Sequence, residues 1–208
     1  MRLMMSKYRI LRVTGGAVIA AAMLIGTPVR SSDRLSALRS STEGHRDLAQ
    51  APDLIGSRED WLNTGGRSVH LFSPSGKPFA GHIYVLTFWT THCINCERTL
   101  PIWNAWAKKY TAAGDVALIS VHTPETRWER DPATVARTAR QRGLVFPILI
   151  DNDEKNWDAY SVQSWPTTLL IDKQGRIRNR WEGELNFENS NLYRQVEAQI
   201  EILRRENP

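Results

Sequence analysis

The chain contains only two cysteines among its 208 residues, Cys93 and Cys96. A structural zinc site made of four thiolates needs a second cysteine pair, so that class of site is excluded. Two cysteines alone could still be unrelated buried residues or half of a smaller metal site. The choice between these interpretations and redox chemistry depends on the residues that surround the pair.

Excess positive charge is confined to the start of the chain. The protein has 27 Lys and Arg against 22 Asp and Glu, and residues 1–31 hold five of the basic residues and no acid. The remainder is balanced, and it contains no basic patch interleaved with aromatic residues. A nucleic-acid partner is therefore excluded.

Long apolar runs are scarce as well. The run from Val13 to Ile25 is shorter than the roughly 20 residues that a membrane-spanning helix needs, and it follows a basic segment. These features are typical of a secretory signal peptide in residues 1–31, and an uncleaved N-terminal membrane anchor is the alternative. Residues 32–57 are polar and predict a linker, which leaves residues 58–208 for one domain.

Motifs for common cofactors are also missing. We find no phosphate-binding glycine loop, no Ser-His-Asp order and no flavin, haem or nicotinamide site, so no cofactor is predicted. The segment from Asp151 to Glu154 resembles the start of a calcium loop, but Asn156 occupies the position that requires glycine. We expect a solvated turn that caps a helix there, and we assign no metal site.

The two cysteines follow a run that is typical of a buried strand. Val85 to Trp89 is apolar and rich in β-branched and aromatic residues, and a segment with helical spacing begins after it. Residues three apart on a first helical turn share one face and can form a disulfide. Unpaired amides and the helix dipole favour a thiolate at that position. Cys93 is therefore the predicted nucleophile and Cys96 the resolving thiol.

Strands and helices alternate along the predicted domain. Strands are expected at Val69–Phe72, Ile83–Trp89, Val116–Val121, Phe146–Ile150, Thr167–Ile171 and Ile177–Trp181. Helices are expected from the cysteine turn to Tyr110, from Pro132 to Gly143, at Asn156–Tyr160 and from Asn189 to Arg205. This order predicts an α/β fold with a mixed central sheet covered by helices on both faces.

A set of motifs between Trp61 and Trp181 resembles one known family. The main ones are Trp61-Leu62-Asn63-Thr64, Phe88-Trp89-Thr90, Cys93-Ile94-Asn95-Cys96, Val121-His122-Thr123-Pro124-Glu125 and Trp165-Pro166. They are similar to the thioredoxin-like TlpA-type redoxins, in particular to the domain found in cytochrome c biogenesis proteins of the DipZ type and in NHL-repeat proteins.

The resemblance implies a thiol–disulfide oxidoreductase that is exported, to the periplasm in bacteria, and often acts as a reductant. Its partners would be protein dithiols and disulfides, with a membrane electron donor because the compartment is oxidising. Pro166 matches the family's cis-proline, which lies beside the cysteine pair. Trp165 would offer its backbone to a bound polypeptide, and Trp89 is assigned to the same substrate-binding set.

Two positions depart from the family. Many members have a buried Asp six residues before the first cysteine, where this chain has Thr87. Another proton acceptor is then needed for the resolving thiol, and Glu97 and Glu125 are candidates. His92 replaces a residue that is often aromatic or small, and when protonated it would stabilise the Cys93 thiolate.

Two rival functions stay open on the sequence. Cys93, Cys96 and His92 could bind copper or another soft metal, as in a metal chaperone. Alternatively, the domain is a non-catalytic module whose disulfide is only structural.

Overall fold

The fold is known from a computed structural model that describes residues 49–79 and 81–207. The leader predicted in residues 1–31 and most of the linker predicted after it lie outside the described residues. In the part of the chain that is described, no helix is both long and apolar enough to cross a bilayer.

Six strands form a mixed sheet. In chain order they are β1 (Trp61–Leu62), β2 (Ile83–Trp89), β3 (Val116–His122), β4 (Ile148–Ile150), β5 (Thr167–Ile171) and β6 (Ile177–Glu182). Across the sheet the order is β1-β4-β3-β2-β5-β6. The strand that leads into the cysteines, β2, runs parallel to β3 and antiparallel to β5, so it is central. All of its residues are buried, which explains why its sequence is apolar apart from Thr87.

Four α-helices accompany the sheet. They are α1 (Ile94–Thr111), α2 (Pro132–Gln141), α3 (Lys155–Ala159) and α4 (Leu192–Arg205). Pro132 is the first residue of α2, where its missing N–H costs nothing, and the Asp131 carboxylate caps the same turn. Helix α1 continues through Pro101.

The sheet separates two apolar clusters. One contains buried side chains of β2, β3 and the helices α1, α2 and α4, with Trp103 and Trp106 among the largest. The other contains Phe88, Leu149 and Tyr160, with Trp157 of α3 packed against it. Helices therefore cover both faces, and the predicted α/β fold with a mixed sheet is confirmed.

The folded unit begins before the predicted boundary at residue 58. Ala51 and Leu54 are buried in the second cluster, and the Ala51 amide donates to the Gly175 carbonyl oxygen at 2.8 Å. Residues 49–57 thus pack on the domain, although their polar composition predicted a linker. The few apolar side chains in this segment are enough to anchor it.

Two other local predictions are wrong in part. Residues 69–72 form no strand; Phe72 makes only an isolated bridge to Pro78. The Asp151 turn does cap a helix, because its carboxylate accepts from the Asn156 and Trp157 amides. Asp151 is buried, however, and the solvated turn that we expected is therefore incorrect at this residue.

Candidate active site

The two cysteines lie where β2 ends and α1 begins. Cys93 is the N-cap residue of α1, and a disulfide joins it to Cys96 with a Cα–Cα distance of 5.1 Å. The Cys96 amide donates a hydrogen bond to the Cys93 sulfur at 3.0 Å. An amide at a helix start that points at a sulfur stabilises negative charge on it.

The two sulfurs differ in access to solvent. Cys93 is only partly buried, whereas Cys96 is 0% exposed and belongs to the core on the α1 face. A partner disulfide can therefore approach Cys93 and not Cys96. This asymmetry fits the roles that the sequence predicts for the two thiols.

The turn before Cys93 is attached to a buried carboxylate that sequence reasoning did not select. Glu129 is 0% exposed, and its Oε1 accepts from the hydroxyls of Thr90 at 2.6 Å and Thr91 at 2.7 Å. The same oxygen accepts from the His92 amide at 3.0 Å. The residues between β2 and Cys93 thus share one acceptor.

The other Glu129 oxygen is bound to its own loop after β3. Oε2 accepts from the amides of Glu125 at 2.9 Å and Thr126 at 2.8 Å. Burial acts to raise the pKa of Glu129, but the hydrogen bonds from Thr90, Thr91 and the backbone outweigh it and hold that pKa well below its usual value. The carboxylate is therefore ionised at neutral pH.

His92 and Glu97 were the predicted tuning residues, and both are on the outer side of the turn. The His92 side chain is 68% exposed, and its Nδ1 lies 3.3 Å from Glu129 Oε1. Glu97 is exposed and pairs with Arg142, which also donates to the Thr91 carbonyl oxygen at 3.0 Å. Glu97 is thus neutralised at the surface and does not reach the buried side of α1.

Thr87 is buried on the same side of the sheet as α1. It lies between Val85 and Trp89, whose side chains belong to the α1-side cluster, and it pairs with Ser120 and Thr168 across the sheet. Among the residues that the structure describes, its hydroxyl makes only a long contact, 3.5 Å, with the Ile119 carbonyl oxygen. A threonine cannot serve as the base that an aspartate would provide, and the exposed Glu125 cannot replace it beneath the helix either.

A histidine occupies the buried end of β3. His122 is 0% exposed, pairs in register with Trp89, and meets the Trp89 ring edge-on with 5.2 Å between centroids. Neither ring nitrogen has a hydrogen-bond partner among the described residues. Burial lowers the pKa of His122 to about 4, against a weaker opposing effect of the Glu129 charge. This histidine is neutral at pH 7.

The Trp165–Pro166 peptide bond is cis, as the family resemblance implies. Trp165 is half-buried and packs against Trp157 with 4.4 Å between ring centroids, while Pro166 is buried. Trp89 differs from our prediction: it is 0% exposed, so its side chain packs under the site and cannot contact a substrate. Its position at the end of the fully buried β2 explains this.

Two apolar side chains near the cysteine turn are exposed. Ile94, between the two cysteines, is 57% exposed, and Trp128 is 82% exposed. Trp128 is adjacent in sequence to Glu129, which is hydrogen-bonded to the turn at residues 90–92. Ile94 therefore adds exposed apolar surface between the two cysteines.

The sequence profile of the AhpC/TSA family matches residues 49–180, which is more than half of the chain. The chain belongs to the AhpC/TSA family. Among solved structures, a thioredoxin-like protein in its oxidised form matches this AhpC/TSA chain with a TM-score of 0.61 and 22% identity, covering 78% of this chain and 100% of the other. At that identity the match shows the thioredoxin-like fold alone.

Two relatives extend this assignment. Protein DipZ of Mycobacterium tuberculosis is 38% identical over 138 residues, which are 66% of this chain and 19% of DipZ. Thiol-disulfide oxidoreductase ResA of Geobacillus kaustophilus is 34% identical over 111 residues, which are 53% of this chain and 60% of ResA. This AhpC/TSA chain therefore spans less than two thirds of the length of either relative. The resemblance inferred from the motifs is confirmed.

Of the residues near the cysteines, Glu129 and His122 are those that our site assignment missed. The spacing Thr126-x-x-Glu129 is a capping-box signature that the sequence does display, and the Glu129 carboxylate does reach back to the Thr126 amide. Its contact with Thr90 and Thr91 joins residues almost 40 positions apart. No local pattern could indicate that contact.

Proposed function

We propose that this domain is a thiol–disulfide oxidoreductase that exchanges electrons with protein substrates through Cys93 and Cys96. The observation that carries the proposal is the disulfide at the start of α1, with an accessible first sulfur and a buried second one. Membership of the AhpC/TSA family and the name of the relative ResA support the same activity.

In the reducing direction, the Cys93 thiolate attacks one sulfur of a partner disulfide. The partner's S–S bond breaks, a mixed disulfide with Cys93 forms, and the first partner thiolate leaves and takes a proton from water. Cys96 then loses its proton and attacks the Cys93 sulfur, which releases the second partner thiolate. The partner gains two electrons and two protons in total, and the Cys93–Cys96 disulfide is restored.

The partner would be a polypeptide that lies against Trp165 and Pro166. Trp165 keeps part of its surface in solvent, and Ile94 adds exposed apolar area between the two cysteines. Apolar and aromatic surface of this kind is typical of residues that dominate binding energy in protein interfaces. We therefore assign substrate docking to Trp165 and Pro166, without Trp89.

The site of action that we propose is outside the cytoplasm. The basic segment and short apolar run in residues 1–31 support export, and the reducing direction would then require electrons from a membrane donor. We propose in particular that the substrates of the domain belong to cytochrome c maturation.

Fusing residues 1–31 to a reporter that is active only outside the cytoplasm should give reporter activity. A fusion that is produced but shows no reporter activity would contradict export.

Reduction of insulin disulfides by dithiothreitol tests the activity itself. The wild-type chain should accelerate precipitation of the insulin B chain well above the rate with dithiothreitol alone. Cys93→Ser should return the rate to that background because the attacking sulfur is gone. No acceleration by the wild-type chain would contradict the enzyme proposal and favour a module with a structural disulfide.

The metal-chaperone alternative is less well supported. In the described part of the chain, no group of three or more His, Cys, Asp or Glu is arranged to hold a metal ion, and His92 Nδ1 is close to Glu129 instead. Titration of the reduced chain with Cu(I) separates the two functions. Tight stoichiometric binding that depends on His92, without disulfide exchange, would favour the chaperone.

A further inference from the structure

Glu129 is a buried anion that the exchange steps do not consume. One of its oxygens holds Thr90, Thr91 and the amide of His92, and the other holds the loop that follows β3. The carboxylate therefore joins two neighbouring strand ends just before the attacking cysteine. A group in that place can influence both the geometry and the charge of the reacting sulfur.

The negative charge of Glu129 is not cancelled by a strong cation. Among the described residues, no lysine or arginine nitrogen lies within 4.0 Å of it, and the only basic group in that range is His92 Nδ1 at 3.3 Å. Arg142 reaches the turn at the Thr91 carbonyl oxygen, but it is paired with Glu97. His122, whose pKa is affected by the Glu129 charge, is neutral at pH 7.

We propose that Glu129 is a positioning residue for the exchange reaction, whose buried negative charge disfavours the Cys93 thiolate and so makes the Cys93–Cys96 pair a stronger reductant. This inference rests on the proposed function. It assigns to Glu129 two linked effects: the hydrogen bonds fix the turn that carries Cys93, and the charge adjusts the energy of the thiolate.

The electrostatic part follows from two opposing local fields. The start of α1 and the Cys96 amide favour negative charge on the Cys93 sulfur. A second negative charge close by, in a setting of low dielectric, disfavours it. A dithiol whose thiolate is less stable gives up its electrons more readily, just as oxidising disulfide proteins have a stabilised reduced form. Glu129 therefore shifts the pair in the reducing direction.

The positioning part follows from the hydrogen bonds. Three consecutive residues, Thr90, Thr91 and His92, donate to a single oxygen, so the chain cannot rotate freely between β2 and the N-cap. Because the donors are neutral and numerous, the carboxylate stays ionised inside the protein without an arginine. The same hydrogen bonds therefore fix the turn and preserve the charge.

Thiolate titration of Cys93 tests this inference without measuring activity. In a Cys96→Ser background Cys93 is the only thiol, and its pKa can be read from the ultraviolet absorbance of the thiolate. Glu129→Gln removes the charge and should lower the Cys93 pKa by about one unit. Glu129→Asp retains the charge and should stay near the parent value. An unchanged or raised pKa in Glu129→Gln would overturn the inference.

Two control variants separate the effect of the Glu129 charge on the Cys93 pKa from the effect of a less ordered turn. Asp172→Asn removes another buried carboxylate, in the turn between β5 and β6, and should leave the Cys93 pKa unchanged. Thr91→Val removes one hydrogen bond to Glu129 but keeps the charge, so it should not lower that pKa. If Thr91→Val lowers it as much as Glu129→Gln does, the order of the turn alone controls Cys93 and the charge effect is rejected. If Glu129→Gln does not fold, a Cys93 pKa that is lowered by about one unit in Thr91→Val still rejects the charge effect, because that variant keeps the charge.

The reduction potential gives a second readout, in glutathione buffers with both cysteines present. Glu129→Gln should make the pair more oxidising by up to about 30 mV, which is a tenfold change in the two-electron equilibrium. Failure of the reduced wild-type chain to react with oxidised glutathione would contradict the proposed function. Normal exchange by the wild type with an unshifted potential in Glu129→Gln would contradict only the inference about Glu129.

Discussion

Two of the buried carboxylates among the described residues, Glu129 and Asp172, organise turns at opposite ends of the sheet. Glu129 lies beside the cysteine turn where β2 ends, and Asp172 follows β5, whose last residue pairs with Tyr84 near the start of β2. Both accept backbone amides: Asp172 Oδ1 accepts from Gln174 at 3.0 Å and Arg176 at 2.9 Å. Their hydrogen-bonding roles are therefore similar.

The two carboxylates differ in the groups that balance their charge. Asp172 Oδ2 lies 2.8 Å from Arg176 Nε and 3.3 Å from Arg178, so guanidinium groups neutralise it. Glu129 is held by hydroxyls and amides, and within 4.0 Å its sole basic neighbour in the described part of the chain is His92. A neutralised carboxylate can shape a turn but exerts little field beyond it. A buried carboxylate in this fold therefore organises its turn in both cases, but it keeps an unbalanced local charge only where no guanidinium group is paired with it.

The largest expected effect on stability comes from Asp172, the carboxylate whose charge is balanced by arginines. Asp172→Ala removes the acceptor of two backbone amides and of the Arg176 side chain, whereas Arg178 keeps its pair with Glu206. The free energy of unfolding should fall by about 3–4 kcal/mol through the lost hydrogen bonds to a charged group. Urea unfolding measures this loss. The Cys93 pKa should be unchanged in the folded variant. A changed Cys93 pKa in Asp172→Ala would contradict the claim that only Glu129 acts on the cysteine by its charge.

The stability of the domain should fall at acidic pH mainly because of two groups near the cysteine turn, His122 and Glu129. The pKa of His122 falls from 6.5 in the unfolded chain to about 4 in the folded protein, so only the unfolded state binds its proton between those values. Stability should therefore decrease as the pH falls from about 6.5 to 4, by about 3 kcal/mol in total. Glu129 adds to the loss at lower pH, because its depressed pKa stabilises the fold only while it stays ionised.

His122→Phe provides the matched test of that acid sensitivity. Phenylalanine fills similar space, and the histidine nitrogens make no hydrogen bonds among the described residues, so packing should be retained. Unfolding free energies measured across this pH range should fall less steeply in the variant. An identical pH dependence would show that His122 is not the group responsible.

A smaller effect should distinguish two buried threonines. Thr90→Val removes a hydrogen bond to an ionised carboxylate and should cost about 2 kcal/mol. Thr168 on β5 is the control, because its buried hydroxyl has no partner in the described part of the chain. Thr168→Val should be neutral or slightly stabilising in the same unfolding measurement. Equal losses in both variants would contradict a special role for the contact with Glu129.

The sequence was sufficient for the parts of the site that depend on local order. A buried strand followed by C-x-x-C and a helix start defines Cys93 and Cys96. The cis bond at Pro166 was expected from the resemblance of the Trp165-Pro166 pair to the family. Strand β2 and helix α2 were also predicted correctly, because an apolar run and an N-terminal proline are strong local signals.

The remaining features depend on contacts between distant parts of the chain. Residues 49–57 have a polar composition, yet Ala51 and Leu54 reach the core. Trp89 has the sequence context of a site residue, but its place in a strand buried on both faces removes it from solvent. Glu129 acquires its role only when the loop after β3 meets the turn before Cys93. Charge burial of this kind cannot be inferred from spacing.

The central claim is that Cys93 attacks and Cys96 resolves. Each single serine variant, after reduction, is mixed with a peptide disulfide, and the adducts are mapped by mass spectrometry. We predict a stable mixed disulfide on Cys93 in Cys96→Ser and little or none on the buried Cys96 in Cys93→Ser. Stable adducts on Cys96 in Cys93→Ser, with none on Cys93 in Cys96→Ser, would contradict the account.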